Sequence, residues 1–228
     1  MKQSNKNINL VLVDDHILFR DGLKYVIEQN DQFKIVAEAS NGKEFLQIIK
    51  DKKPDIVLMD IAMPVMNGIE ATMKAVNMYP DIKIIALTMF DDEKYYYDIL
   101  NAGAKGFLLK DSDSEDLLKA IESINNGESY FSNEVLVKVI RSYSTFSANN
   151  QMSKPEQNIN LSFREQQVLN LICGGLTNKE IANELSLNQR TVEGIRYNLL
   201  SKTNSNNSLN LVLFAIENKL IDEINNIV

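Results

Sequence analysis

Short apolar runs alternate with longer segments of helical period along the first 126 residues: INLVLV (8–13), KIVAEA (34–39), IVLMD (56–60), KIIALT (83–88) and GFLLK (106–110). After each run, over 18–29, 43–50, 69–78, 92–102 and 115–126, apolar positions recur at the spacing of an amphipathic helix. The runs themselves are nearly continuous in apolar residues, the mark of strands buried on both faces. Strands that each hand over to a helix need crossovers, and right-handed crossovers set helices on both sides of a parallel sheet. The pattern predicts an α/β doubly wound unit with a five-stranded parallel sheet over residues 7–127. In such a sheet the binding crevice opens beyond the carboxyl ends of the strands, at the topological switch point.

Residues 128–158 read differently. A further helical stretch at 133–143 runs into the polar segment STFSANNQMSKPEQNIN, which has neither period and reads as a linker. From Leu161 strand patterns stop, and helical stretches at 163–173, 178–185, 189–202 and 209–219 predict a small all-α four-helix unit over 159–228. Ser162, three residues before Glu165, sets up a capping box. TNKEIANELSLNQRTV gives a short helix, a tight turn near Leu187 and Asn188, and a second helix, which is the helix-turn-helix arrangement. Such a second helix enters a major groove by its N-terminal half. Ile181, Ala182, Leu185, Val192 and Leu199 are the expected core between these helices.

Composition narrows the chemistry. With 44% hydrophobic and 24% charged residues the chain is ordinary globular material. The one cysteine, Cys173, excludes an internal disulfide and a cysteine-built zinc site, so a metal site has to be made of oxygen. No run is long enough for a membrane span and the N-terminus has no secretory core, which together predict a cytoplasmic protein. The net charge of −7 means that any contact with nucleic acid is local.

Polar residues close the predicted strands. Asp14 and Asp15 follow the first, Asp60 ends the third, Thr88 the fourth and Lys110 the fifth. One such acid alone reads as a solvated helix cap. Several sharing one sheet edge repel, and a hard divalent cation, Mg²⁺, is their natural neutraliser. One carboxylate could then attack phosphorus while the metal and a lysine hold the equatorial oxygens. Neither GxGxxG nor a GxxxxGK[ST] loop is present, so dinucleotides and nucleoside triphosphates have no cradle. Ala62 stands where the haloacid-dehalogenase phosphotransferases carry a second Asp, which argues against a small-molecule phosphatase. The sole histidine, His16, reads as a surface or capping group.

In this order, an acidic pair, the Asp of VLMDIAMPVMNG, the Thr of IIALT and the Lys of GFLLKD, residues 8–126 resemble the flavodoxin-like receiver domain of bacterial response regulators. The resemblance implies that Asp60 is the phosphoacceptor for a sensor histidine kinase. It also implies that Asp14, Asp15, Asp60 and the backbone carbonyl of Ala62 hold Mg²⁺, and that Thr88 and Lys110 contact the phosphoryl group. Phe107 occupies the switch-aromatic position, with a plain core role equally open, and Gly68 is expected to supply unusual backbone geometry in the loop after the acceptor.

Through LSFRE, GLTNKEIA and RTV, residues 159–223 resemble the DNA-binding domain of the LuxR/FixJ/NarL class. That resemblance places Glu193, Gly194 and Tyr197 against base edges, and Thr191, Arg196, Asn198 and Lys202, with Lys179 and Arg190, near phosphates. It implies that helix 209–219 carries the dimer contact. Residues 155–228 nevertheless hold six basic against eight acidic side chains, a balance of −2. The two resemblances together imply a phosphorylation-activated transcriptional regulator of a two-component system. It would bind an inverted repeat in promoter DNA as a homodimer, with no membrane partner and no enzyme activity beyond its own phosphorylation and dephosphorylation. The alternative is a receiver-containing interaction module whose acidic helix-turn-helix binds a protein. A regulator that senses a small molecule has no use for the strand-end acids.

Overall fold

The computed structural model describes residues 7–89, 98–131 and 159–221. It divides the chain into two compact units, Met1–Ser132 and Asn133–Val228. The first alternates β1 (Ile8–Val13), α1 (Ile17–Glu28), β2 (Phe33–Ala39), α2 (Gly42–Lys52), β3 (Ile56–Asp60), α3 (Gly68–Met78), β4 (Ile84–Thr88), β5 (Gly106–Leu109), α4 (Ser114–Asn125) and β6 (Tyr130–Phe131). All strands are parallel, in the order β2-β1-β3-β4-β5-β6. The sheet thus has six strands where the sequence pattern predicts five. The additional strand is two residues long, pairs Tyr130 with Gly106 and Phe131 with Phe107, and is too short to leave a period in the sequence. It also carries the first unit beyond residue 127, into the stretch read as linker. The predicted helix 92–102 is described only from residue 98, with 98–101 helical. The predicted helix 133–143 and the linker after it lie outside the described residues.

Alternate residues of each central strand feed opposite faces. Leu10, Leu12, Leu58 and Leu87 join Ile27 of α1 and Leu117 and Ile121 of α4 in one apolar cluster. Val11, Val13, Val57 and Met59 join Phe45 of α2 and Ala71 and Ala75 of α3 in the other. Each fully buried aliphatic side chain contributes ~1.5–3 kcal/mol, so the continuous apolar runs are what two-sided burial requires. The polar residues at the strand ends interrupt this pattern. Because β1 and β3 are neighbours while the chain departs from β1 toward β2, the switch point lies between Val13 and Asp60.

The second unit holds α5 (Phe163–Cys173), α6 (Asn178–Glu184), α7 (Gln189–Thr203) and α8 (Ser208–Glu217). Ser162, Thr177, Asn188 and Asn207 cap them, each side chain accepting the backbone N–H three residues on, and the first two form full capping boxes with Glu165 and Glu180. The turn between α6 and α7 passes through Ser186 at φ 53. Val168, Leu169, Ile181, Val192, Leu199 and Leu209 are wholly or almost wholly buried, and Leu185 is half-buried. Among the described residues no helix is long and apolar enough to cross a membrane.

Candidate functional site: an acidic pocket and a recognition helix

The strand ends converge as the topology dictates. Asp14 and Asp60, 0% and 2% exposed, meet Lys110 across the switch point, with its Nζ 2.7 Å from Asp14 Oδ2 and 2.8 Å from Asp60 Oδ2. The Lys110 stem passes the ring of Phe19, with Nζ 4.9 Å from its centroid. Burial lowers an ammonium's pKa, yet the two carboxylates outweigh it and hold that of Lys110 above its ordinary value. Burial pushes the Asp60 carboxyl up to about 6, partly opposed by the Lys110 hydrogen bond and reinforced by the charge of Asp14. The ionised form of Asp60 therefore carries a desolvation cost that Lys110 offsets only in part.

Asp15 and His16 complete the rim. His16 Nδ1 lies 3.3 Å from Asp14 Oδ1 and 3.2 Å from Asp15 Oδ1, its side chain 67% exposed. It stands at the N-cap of α1 without a side-chain capping bond. Its own N–H donates to Asp14 Oδ1 at 2.8 Å. Asp14, Asp15, His16 and Asp60 each offer a ligand atom, all within 4.8 Å of one another. The buried Asp14 Oδ2 and Asp60 Oδ2 both face the single Lys110 ammonium, and Asp15 Oδ1 faces the His16 ring. Three carboxylates against one ammonium leave two negative charges, a donor set that fits a hard divalent cation.

Thr88 is fully buried at the end of β4, its hydroxyl donating to the Met89 carbonyl at 3.2 Å. Ala62 is exposed, and its N–H donates to Asp60 Oδ1 at 3.4 Å. Phe107 is fully buried in β5. Gly68 corrects the sequence expectation: it needs no unusual φ, but a Cβ there would lie 2.0 Å from the Asp60 carbonyl oxygen. Only glycine lets α3 start against the acceptor's own backbone. The left-handed residue of this loop is Val65, at φ 69, a conformation that strains a β-branched side chain.

In the second unit α7 exposes Arg190, Thr191, Gly194, Tyr197 and Asn198, with Glu193 half-buried and Lys179 exposed on α6. Tyr197 is 73% exposed, and beyond the backbone of α7 itself and the adjoining residues no atom lies within 4 Å of where a Cβ on Gly194 would stand. Arg196 is a correction. It is only 7% exposed, donating to Ser208 Oγ at 2.6 Å and to the Leu176 carbonyl at 3.4 Å. It ties α7 to the start of α8 and to the loop before α6 instead of reaching for phosphate. Val192, Arg196, Leu199 and Thr203 are the buried positions of α7, and their i, i+4, i+7, i+11 spacing was the signal in the sequence. Lys202 is taken up by an ion pair with Glu165 at 2.8 Å. Sequence reasoning also passed over Arg20, whose guanidinium donates to the Asp14 carbonyl; a basic residue one turn after an acidic pair was the available sign.

Comparison with known proteins agrees with this division. The family model "Response regulator receiver domain" matches residues 10–122. That of "Bacterial regulatory proteins, luxR family" matches residues 159–215. Transcriptional regulatory protein DegU of Brevibacillus brevis is 33% identical over 228 residues, covering 95% of this chain and 97% of its own. Uncharacterized transcriptional regulatory protein YhcZ of Bacillus subtilis (strain 168) is 37% identical over 217 residues, covering 95% and 99%. The crystal structure of response regulator ChrA, from a heme-sensing two-component system, superposes with a TM-score of 0.53 at 30% identity, over 95% of this chain and all of that one. A receiver followed by a LuxR-type helical unit, with relatives aligned end to end, places this chain in the NarL/FixJ family of two-component response regulators, as a DNA-binding transcriptional regulator.

Proposed function

We propose that Asp60 accepts a phosphoryl group from a sensor histidine kinase and that this event controls binding of α7 to promoter DNA. The observation that carries the reading is the convergence of Asp14 and Asp60 on Lys110, each within 2.8 Å of its Nζ at the switch point, with Asp15 on the rim. An Asp60 carboxylate oxygen attacks phosphorus, the P–N bond to the donor imidazole breaks, and the imidazole leaves as the new P–O bond forms. Asp14, Asp15, Asp60 and the Ala62 carbonyl would hold Mg²⁺, which when bound neutralises charge on the transferring oxygens. Lys110 moves from two carboxylates to a phosphoryl oxygen, and the Thr88 hydroxyl, now on the Met89 carbonyl, turns toward another. Phe107, fully buried in β5 in register with Ala86 of β4, is the residue such a shift would repack. Ile17 and Leu18, 64% and 88% exposed beside the acidic pair, give a phosphodonor protein an apolar landing place.

In the second unit Glu193, Gly194 and Tyr197 are assigned to base edges, and Lys179, Arg190, Thr191 and Asn198 to the DNA backbone. Half-exposed Asn210 and Phe214 share a side of α8 and are assigned to the contact of a homodimer on an inverted repeat. The whole acts in the cytoplasm, where a kinase and promoter DNA are both available. The test is acetyl phosphate with Mg²⁺, read by intact mass and by enrichment of random DNA fragments at fixed salt, for the wild type and Asp60→Asn. Phosphoryl transfer then breaks the P–O bond to acetate. The expected result is a phosphoryl mass gain and one enriched inverted repeat, both confined to the treated wild type. Absence of the mass gain overturns the phosphoacceptor role of Asp60. A mass gain without any enriched sequence turns the second unit into a protein-binding module.

A further inference from the structure

Arg20, one turn into α1, bridges two partners. Its Nη1 donates to the main-chain carbonyl of Asp14, and its Nε donates to Glu38 Oε2 on β2 at 3.2 Å. The Arg20 and Glu38 side chains are only 15% and 29% exposed. Lys24, one turn further along α1, reaches the other Glu38 oxygen at 2.8 Å. The Lys24 hydrogen bond, with that of Arg20 and against the cost of burial, holds the Glu38 carboxyl below its ordinary range, so it stays an anion that retains both cations. The backbone around Asp14 is thereby fixed on both sides: its N–H donates to the Ala39 carbonyl at 3.1 Å and its carbonyl accepts from Arg20. The peptide plane between Asp14 and Asp15 helps set the directions in which both side chains leave the backbone, so whatever fixes that plane narrows where the two carboxylates can reach.

We infer that Arg20, held in place by Glu38, is a positioning residue for the cation site: it locks the Asp14–Asp15 peptide so that both side chains face one divalent ion. This rests on the reading that Asp14, Asp15 and Asp60 hold Mg²⁺. Groups one step behind metal ligands typically change affinity roughly 10–100-fold when removed. Charge alone makes the opposite demand. Arg20 is a cation beside a cation site, and deleting it would tighten binding if its role were only electrostatic. Geometry and charge therefore predict opposite signs for one substitution.

The experiment is calorimetric titration of Mg²⁺ into the full-length protein, together with melting in EDTA. The wild type should bind saturably and Asp15→Asn should not. Arg20→Gln should bind roughly tenfold more weakly. Glu38→Gln should weaken binding in the same direction. Arg20→Lys should fall between, because an ammonium reaches the Asp14 carbonyl or Glu38 but does not bridge them. Lys24→Met, which removes a charge from the same cluster without touching Asp14, should stay within about twofold of the wild type. These affinities should not follow the metal-free melting temperatures, as they would if Arg20 only supported the fold. Arg20→Gln binding as tightly as the wild type, or more tightly, overturns the clamp while leaving the cation site standing. Should Arg20→Gln not fold, Arg20→Lys and Glu38→Gln binding like the wild type overturn the clamp in its place. A wild type that takes up no Mg²⁺, or an Asp15→Asn that binds equally well, overturns the cation reading and the clamp with it.

Discussion

The acidic pocket and the recognition helix stand at opposite limits of how a protein holds functional groups. In the pocket Asp14, Asp60 and Thr88 are buried, the Lys110 side chain is 6% exposed, and all four are fixed by the ends of strands that the core would build in any case. Their positions follow from topology, and their chemistry carries a standing cost, visible in the raised pKa of Asp60. On α7 the candidate contacts Arg190, Thr191, Tyr197 and Asn198 are exposed, and they cost the fold little. Function and stability are thus coupled in the first region and separable in the second. Substitutions should divide along that line.

The largest effect is expected at Gly68. A methyl group there meets the Asp60 carbonyl at 2.0 Å, so either α3 or the acceptor's backbone has to move. Gly68→Ala should cost about 3 kcal/mol, the upper range for overpacking, and should suppress phosphoryl loading as well, read by urea unfolding and intact mass. Wild-type stability with unimpaired loading would show that the pocket tolerates displacement and is less coupled to the fold than its burial indicates. Next comes Arg196, which looks like a surface cation by type and belongs to the core by position. Arg196→Met removes the partner of Ser208 Oγ and of the Leu176 carbonyl, for about 2 kcal/mol of stability. The slope of log affinity against log salt should stay unchanged, whereas Arg190→Ala should lower it by about one. A drop of that size for Arg196→Met would return it to the DNA backbone.

Tyr197 tests the separable side. At 73% exposure its truncation should leave unfolding within ~0.5 kcal/mol of the wild type while weakening binding to the selected site by about 1–2 kcal/mol. Loss of stability without loss of DNA affinity would mean that the recognition helix is coupled to its core as tightly as the acidic pocket is.

Much of this was legible because the signals were periodic or positional. Five strands, their order of polar end residues and the helix-turn-helix all follow from apolar spacing, and the acidic pocket follows from placing strand ends on one edge. β6 was not legible, since Tyr130–Phe131 is two residues long and pairs by proximity to β5 without a pattern of its own. The sequence reading of Gly68 rests on backbone freedom, whereas what demands glycine is a close approach to the Asp60 carbonyl, and a close approach between backbones leaves no trace in sequence. Arg196 was misplaced when residue type outweighed helical period: it sits on the stripe of Val192, Leu199 and Thr203. For Arg20 the sequence offers only its place one turn past the acidic pair, because its partners, a main-chain carbonyl and a residue on β2, are set by the folded chain.

The smallest effect expected concerns Lys202, which the sequence places near phosphate and the structure places on Glu165. The Lys202 hydrogen bond, then the Ser162 N–H, hold the Glu165 carboxyl below its ordinary value against the cost of burial. A carboxyl whose folded pKa is depressed gives stability that is present above its unfolded pKa and is lost as pH falls through the folded one. Glu165→Gln should therefore cost about 1 kcal/mol at neutral pH, the size of a lost helix cap, and the gap to the wild type should close below about pH 4. Glu180 makes the same capping box with Thr177, and its pKa is lowered by that backbone and hydroxyl without a lysine. Glu180→Gln should show the same closing gap, but smaller, when thermal unfolding of the two variants is followed from neutral pH into acid. A gap for Glu165→Gln that persists in acid would assign its contribution to cap geometry and not to the Lys202 charge. Lys202 would then be free to serve phosphate, and its replacement by Met would lower the salt slope, whereas a lysine spent on Glu165 leaves that slope unchanged.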